Sequence, residues 1–183
     1  MMSPPPFTGE FVEWIALNHY RIVVRGDAWV LTDFSDVDFY IRRASDVFVL
    51  TKTERGGHER FVMSASNAAD VERVLTMSFG FSIRCEMGLP FIFLKGRPGL
   101  VSVADAAPGF RLEAESGDRV AVVTETREVR ARVYGDLGLN SDEAVKFSWI
   151  ADARLEDLRR SYLDPGGLPL FPGCSIGPAE PSA

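Results

Sequence analysis

The sequence predicts an α+β fold, with an antiparallel sheet (or sheets) packed against one long central helix and short helices near the N- and C-termini. Residues 67–90 carry an apolar side chain at every fourth position (Val71, Leu75, Phe79, Ile83, Met87), with Val74 and Ser78 beside them. That is the period of a helix buried along one face. Residues 20–65 break instead into short β-rich runs separated by glycine and aspartate turns, and residues 110–134 do the same. Strands followed by a helix thus occur twice, although the two halves share no motif.

Taken in order, residues 8–18 form a short amphipathic helix, with Phe7, Phe11, Trp14 and Ile15 on one side. Residues 20–25 and 28–32 are strands joined at Gly26-Asp27, a hairpin signal. Residues 36–43 alternate Val37, Phe39 and Ile41 against Asp38, Tyr40 and Arg42. Residues 47–53 turn at Arg55-Gly56-Gly57-His58 and return through 59–65, which completes an antiparallel meander. In the long helix Asn67 is the N-cap and Asp70 answers it. Gly88 and Pro90 stop the helix after roughly 30 Å. Asp70, Glu72 and Arg73 lie off the apolar stripe, so Glu72 is expected to tolerate alanine. Gly80 costs about 1 kcal/mol against alanine and marks a bend or a close contact.

Beyond the helix, residues 91–94 are expected to form a short strand that ends in the exposed loop Lys95-Gly96-Arg97-Pro98-Gly99. The second β region turns at Ser116-Gly117-Asp118. Residues 144–150 alternate Val145, Phe147 and Trp149 against Lys146 and Ser148, which predicts a half-buried strand. Asp152 is expected to cap a closing helix with Leu155, Leu158 and Tyr162 on its buried stripe. Asp164-Pro165-Gly166-Gly167 ends that helix, and the tail from Pro169 is rich in proline and glycine.

At 183 residues the chain fits one domain, 1–183, with an ordered core of about 8–172. A hydrophobic content of 46% with 25% charged residues is ordinary for a globular protein and excludes neither enzyme nor binding module. No apolar run reaches the roughly 20 residues of a membrane span. Residues 1–6 hold no basic group and no apolar core of a signal peptide. A cytoplasmic location is therefore expected, with Cys85 and Cys174 as reduced thiols. The net charge of −6 is uneven: residues 1–100 hold 11 basic and 12 acidic groups, residues 101–183 hold 9 and 14. Such a surface repels phosphate backbones, which argues against a nucleic-acid partner.

No catalytic pattern stands out. His19 and His58 have no orienting partner near them in sequence, and zinc-ligand spacing is absent. Asp33, Asp36 and Asp38 lack the calcium-loop spacing. Asp36 and Asp38 would share a face of a strand, as a hydrolase pair would, but a solvated turn needs the same residues. Gly135-Asp136-Leu137-Gly138 lacks the third glycine of a dinucleotide turn, and no cofactor is expected. Two charged, glycine-flanked loops remain, residues 52–59 and 95–99. Loops on a rigid sheet are common binding elements, and plain solvated turns look the same in sequence.

Several stretches together point to a family: Asp70-Val-Glu-Arg-Val-Leu75, Ser82-Ile-Arg84, Gly88-Leu-Pro90, Ala144-Val-Lys-Phe-Ser-Trp149, and residues 155–171. The chain resembles actinobacterial immunity proteins of polymorphic toxin systems, one of which neutralises the tuberculosis necrotizing toxin. The resemblance spans about residues 8–172 and implies a cytosolic antitoxin rather than an enzyme. The implied partner is a secreted toxin domain, an NAD⁺ glycohydrolase, held as a one-to-one heterodimer with its active-site cleft blocked. No family motif assigns contact residues. The charged loops therefore supply the expected partner-binding set: Lys95 and Arg97, then Arg55 and His58. The competing class is a cytosolic secretion or assembly chaperone, whose gene would neighbour an export substrate instead of a toxin.

Overall fold

The β-rich runs of residues 20–65 and 110–134 become strands, and the two meanders merge into one sheet. The computed structural model describes residues 4–34, 36–92, 102–135 and 142–171. Strands β1 (Arg21–Arg25), β2 (Ala28–Thr32), β3 (Val37–Ala44), β4 (Val47–Glu54) and β5 (Arg60–Ala65) form the first meander. Strands β6 (Phe110–Glu115), β7 (Arg119–Thr124) and β8 (Val129–Tyr134) form the second. All neighbours pair antiparallel, in the order β1-β2-β3-β4-β5-β8-β7-β6. Only Met63↔Val133, Ser64↔Arg132 and Ala65↔Ala131 join the meanders in register.

The register lines up one apolar row across the sheet: Trp29, Ile41, Leu50, Met63, Val133 and Val120 are successive cross-strand neighbours, all buried. Because side chains alternate along a strand, this row defines the inner face. Four helices cover it: α1 (Gly9–Ala16), α2 (Ala68–Glu86), α3 (Asp142–Ile150) and α4 (Leu155–Leu163). Phe11, Trp14 and Ile15 of α1, Leu75 and Phe79 of α2, Phe147 of α3 and Leu158 of α4 join the same hydrophobic cluster. Among the described residues the fold is α+β, an eight-stranded antiparallel sheet with four α-helices. α2, with 19 residues, is the longest helix among those described. No helix among the described residues is long and apolar enough to cross a membrane.

Four expectations are corrected, the last in part. Residues 144–150 are not a strand but part of α3. Ala144, Phe147, Ser148 and Ala151 are all buried, a helical spacing hidden within an apparent alternation. Lys146 pairs with both Asp142 and Glu143, at 3.0 and 2.7 Å, contacts that only helical spacing allows. Next, Asp152 is exposed and Arg154 is the N-cap of α4, with no side-chain cap bond. Third, α2 buries charge as well as apolar surface: Asp70 and Glu72 are 0% and 1% exposed. Of the expected strand at 91–94, Phe91 forms a bridge and Ile92 lies in no strand, while residues 93 and 94 lie outside the described residues.

Each buried charge on α2 holds a distant segment. Asp70 accepts from Asn67 Nδ2 (2.8 Å), Arg73 Nη1 (3.0 Å) and Arg130 Nη2 (2.9 Å), while Asn67 Oδ1 caps Asp70 N–H at 2.9 Å. Arg130 reaches Asp70 because a bulge between Val122 and Val123 leaves it unpaired in the ladder. Glu72 accepts from Thr8 N (3.2 Å), Thr8 Oγ1 (2.8 Å) and Arg159 Nη1 (2.9 Å), tying the N-terminus and α4 to α2. Arg84 donates to the carbonyls of Ser161, Tyr162, Asp164, Pro165 and Pro90. A planar five-donor group thereby satisfies carbonyls that the end of α4 leaves without helical partners. A Cβ at Gly80 would overlap the ring of Tyr162, so this glycine marks a close α2–α4 contact.

Candidate functional site

Antiparallel order places the β2–β3, β4–β5 and β6–β7 connections at one end of the sheet, with the start of β1 and the end of β8. The β4–β5 turn is tight because Arg55 (φ 51°) and Gly56 (φ 67°) are both left-handed, and Gly57 N–H donates to Glu54 O at 2.9 Å. Two left-handed central residues make a type I′ hairpin turn. Arg55 N–H also donates to Asp36 O at 2.6 Å, which fastens this turn to the β2–β3 loop. Arg55 and His58 are both exposed at the tip. Lys95 and Arg97 lie outside the described residues, as do Cys174 and residues 136–138 of the glycine turn.

Beside the hairpin, a cavity of about 310 Å³ opens between the sheet and the helices. Phe39, Phe61, Val62, Val74 and Val133 make it apolar, and Lys52, Ser78, Tyr134 and Glu143 add polar groups. The rim charges are held by neighbours, Lys52 by Glu54 at 2.8 Å and Glu143 by Lys146 at 2.7 Å. Val62 lines the cavity because a bulge between Leu50 and Thr51 leaves it unpaired in the β4–β5 ladder.

The β2–β3 loop carries a feature not singled out in the sequence. Phe34 has φ 64°, and 58% of its surface is exposed. Its N–H donates to Thr32 Oγ1 at 2.9 Å, and the Arg21 guanidinium lies 4.1 Å from the ring centroid. The available signal was an aromatic residue placed between Asp33 and Asp36 in an otherwise polar turn. Behind it, ion pairs organise the outer sheet face: Arg25 with Asp38 (2.6 Å), and Arg42 with Asp27 (3.2 Å) and Glu59 (2.6 Å). Asp38 is therefore occupied, and Asp36 lies before β3 begins at Val37, so the two carboxylates do not form a hydrolase pair on one strand. Tyr20 donates to Val37 O at 3.1 Å beneath this loop. Burial, then Asp33, Asp38 and Asp36, push its phenol up to about 12.

Exposed arginine, histidine and aromatic groups on braced turns, over carboxylates already spent on ion pairs, suit contact with another protein better than bond-making chemistry. Comparison gives the class: the chain is an immunity protein, an inhibitor rather than an enzyme. Residues 14–170 match the family model described as Immunity protein 61, and the chain belongs to that family. It is 26% identical over 145 residues to the protein named "Immunity factor for TNT" of Mycobacterium tuberculosis (strain ATCC 25618 / H37Rv), covering 74% of this chain and 73% of that one. The same figures hold for "Immunity factor for TNT homolog" of Mycobacterium bovis (strain BCG / Pasteur 1173P2). The solved structure of Rv3902c from M. tuberculosis shares the fold, with a TM-score of 0.79 at 21% identity over 94% of this chain and 97% of that one.

Proposed function

We propose that this chain neutralises an NAD⁺-hydrolysing toxin domain, in the cytoplasm and as a one-to-one complex, by seating the loop end of its sheet over the toxin's cleft. The observation that carries this is the similarity to an immunity factor for TNT across 73% of that relative's length. Silencing an enzyme inside its own cell needs a nanomolar or tighter complex, about −12 kcal/mol. Such affinity usually rests on roughly 1,600 Å² of interface and a few aromatic or arginine anchors. The loop end has the right character, because Arg55 and His58 project from a turn that the Asp36 carbonyl already braces. Bracing lowers the entropy lost on binding. Lys95 and Arg97 complete the proposed contact set.

The test mixes the purified chain with the toxin domain encoded beside its gene. Toxin turnover of NAD⁺ and complex stoichiometry are measured for the wild type and for Arg55→Ala, His58→Ala, Lys95→Ala and Arg97→Ala. The wild type should abolish turnover at one equivalent, and at least one substitution should speed dissociation. A wild type that leaves turnover untouched would refute the function. Unchanged dissociation in all four variants would refute the contact set alone.

A further inference from the structure

We propose that Phe34, backed by Arg21 and Arg25, is a preformed knob that enters an apolar, ring-sized recess in the bound toxin domain; this rests on the antitoxin reading above. Phe34 is the most exposed of the large hydrophobic residues among those described, at 58%. It is also held at φ 64°, a left-handed conformation that costs a bulky L-residue free energy. Folding gives little back for this, because the ring is not buried in the hydrophobic cluster. Exposed side chains such as Leu168 and Met87 lack the positive φ.

The surroundings hold the ring in place rather than cover it. Thr32 Oγ1 accepts the Phe34 N–H at 2.9 Å and locks the backbone. The Arg21 guanidinium lies 4.1 Å from the ring centroid, and Arg25, 6.0 Å away, is itself anchored by Asp38 at 2.6 Å. Guanidinium stacking fixes the ring's orientation and still leaves more than half of the residue in water. An aromatic ring ordered before binding loses little entropy when it docks, which is the property of an interface anchor. Its place on the β2–β3 loop, joined to the Arg55 turn through Asp36, makes it continuous with the proposed toxin-facing end.

The experiment measures dissociation of the toxin domain from the wild type, Phe34→Gly, Phe34→Tyr and Leu168→Ala, together with thermal midpoints of the free proteins. Phe34→Gly removes the ring and the backbone strain together. It should dissociate at least about tenfold faster while its midpoint stays close to wild type. Leu168→Ala should bind as the wild type does. Phe34→Tyr, whose hydroxyl would enter the apolar recess unpaired, should dissociate faster than the wild type but less fast than Phe34→Gly. Dissociation of Phe34→Gly within about twofold of wild type would overturn the knob and leave the antitoxin reading standing. A marked fall in the Phe34→Gly midpoint with unchanged dissociation would show the ring to be structural. Failure of the wild type to bind would remove the antitoxin reading and the knob with it.

Discussion

Arg84 shows how one side chain can hold the far end of a chain. Its guanidinium reaches five carbonyls at once, four of them between Ser161 and Pro165. Lysine keeps the charge but loses the planar fork, so it cannot span these acceptors. Arg84→Lys should therefore lower unfolding free energy by about 2–4 kcal/mol in urea titration. A variant as stable as wild type would mean that charge alone suffices. Tyr20 gives a pH signature. Its phenol titrates near the ordinary 10.0 when unfolded but is pushed up to about 12 in the fold. Below pH 10 both states keep the proton and stability does not change with pH through this group. Between 10 and 12 only the folded state keeps it, so stability falls as pH rises. Urea midpoints at pH 8, 10 and 11 should fall less steeply in Tyr20→Phe. The slope should not vanish, because burial also pushes Tyr162 up.

At the scale of elements, the α2–α4 contact is set by Gly80. On helix propensity alone Gly80→Ala would stabilise by about 1 kcal/mol. The added methyl would instead overlap the Tyr162 ring, which also packs against Phe171 and Phe81 at 5.3 and 5.7 Å. Overpacking of this kind costs about 1–3 kcal/mol, so the variant should be less stable than wild type by denaturant midpoint. A more stable Gly80→Ala would mean that α4 can slide away. The sequence identified Gly80 as a bend or a close contact, and the contact is the outcome. It could not name Tyr162, 82 residues away in the chain, as the other side. The strand expected at 144–150 failed for a related reason: seven residues satisfy both periods, and only packing against the short turn at Val103–Asp105 and against β7 and β8 decides between them.

At the scale of the molecule, two meanders meet at a short seam and bury one hydrophobic cluster. That cluster takes Leu50 from the first meander and Val122 from the second, so the halves should unfold together. Calorimetry should give a single transition whose midpoint falls with either Leu50→Ala, at a cost of about 2–5 kcal/mol, or Val122→Ala. Two transitions, each answering to one substitution, would show that the seam does not couple them.

The sequence by itself determined the elements whose cause is local. Alternation in residues 20–65 and 110–134, the hairpin turns, the Asn67 cap and the α2 stripe from Val71 to Ile83 depend on neighbours within a few residues, and the structure reproduces them. Met87, the last residue expected on that stripe, is the C-cap and exposed. Family motifs in the same segments were legible too, since they record helix faces and stops. Tertiary structure alone decided what depends on residues far apart. Glu72 is buried because Thr8 and Arg159 converge on it, although its helix position lies off the apolar stripe. The two β regions became one sheet because β5 and β8, more than 60 residues apart, pair edge to edge. The loop end acquired its character the same way, when pairing brought Phe34, Arg21 and the Arg55 turn together. Local pattern encodes which backbone forms, whereas long-range pairing sets which side chains share a surface.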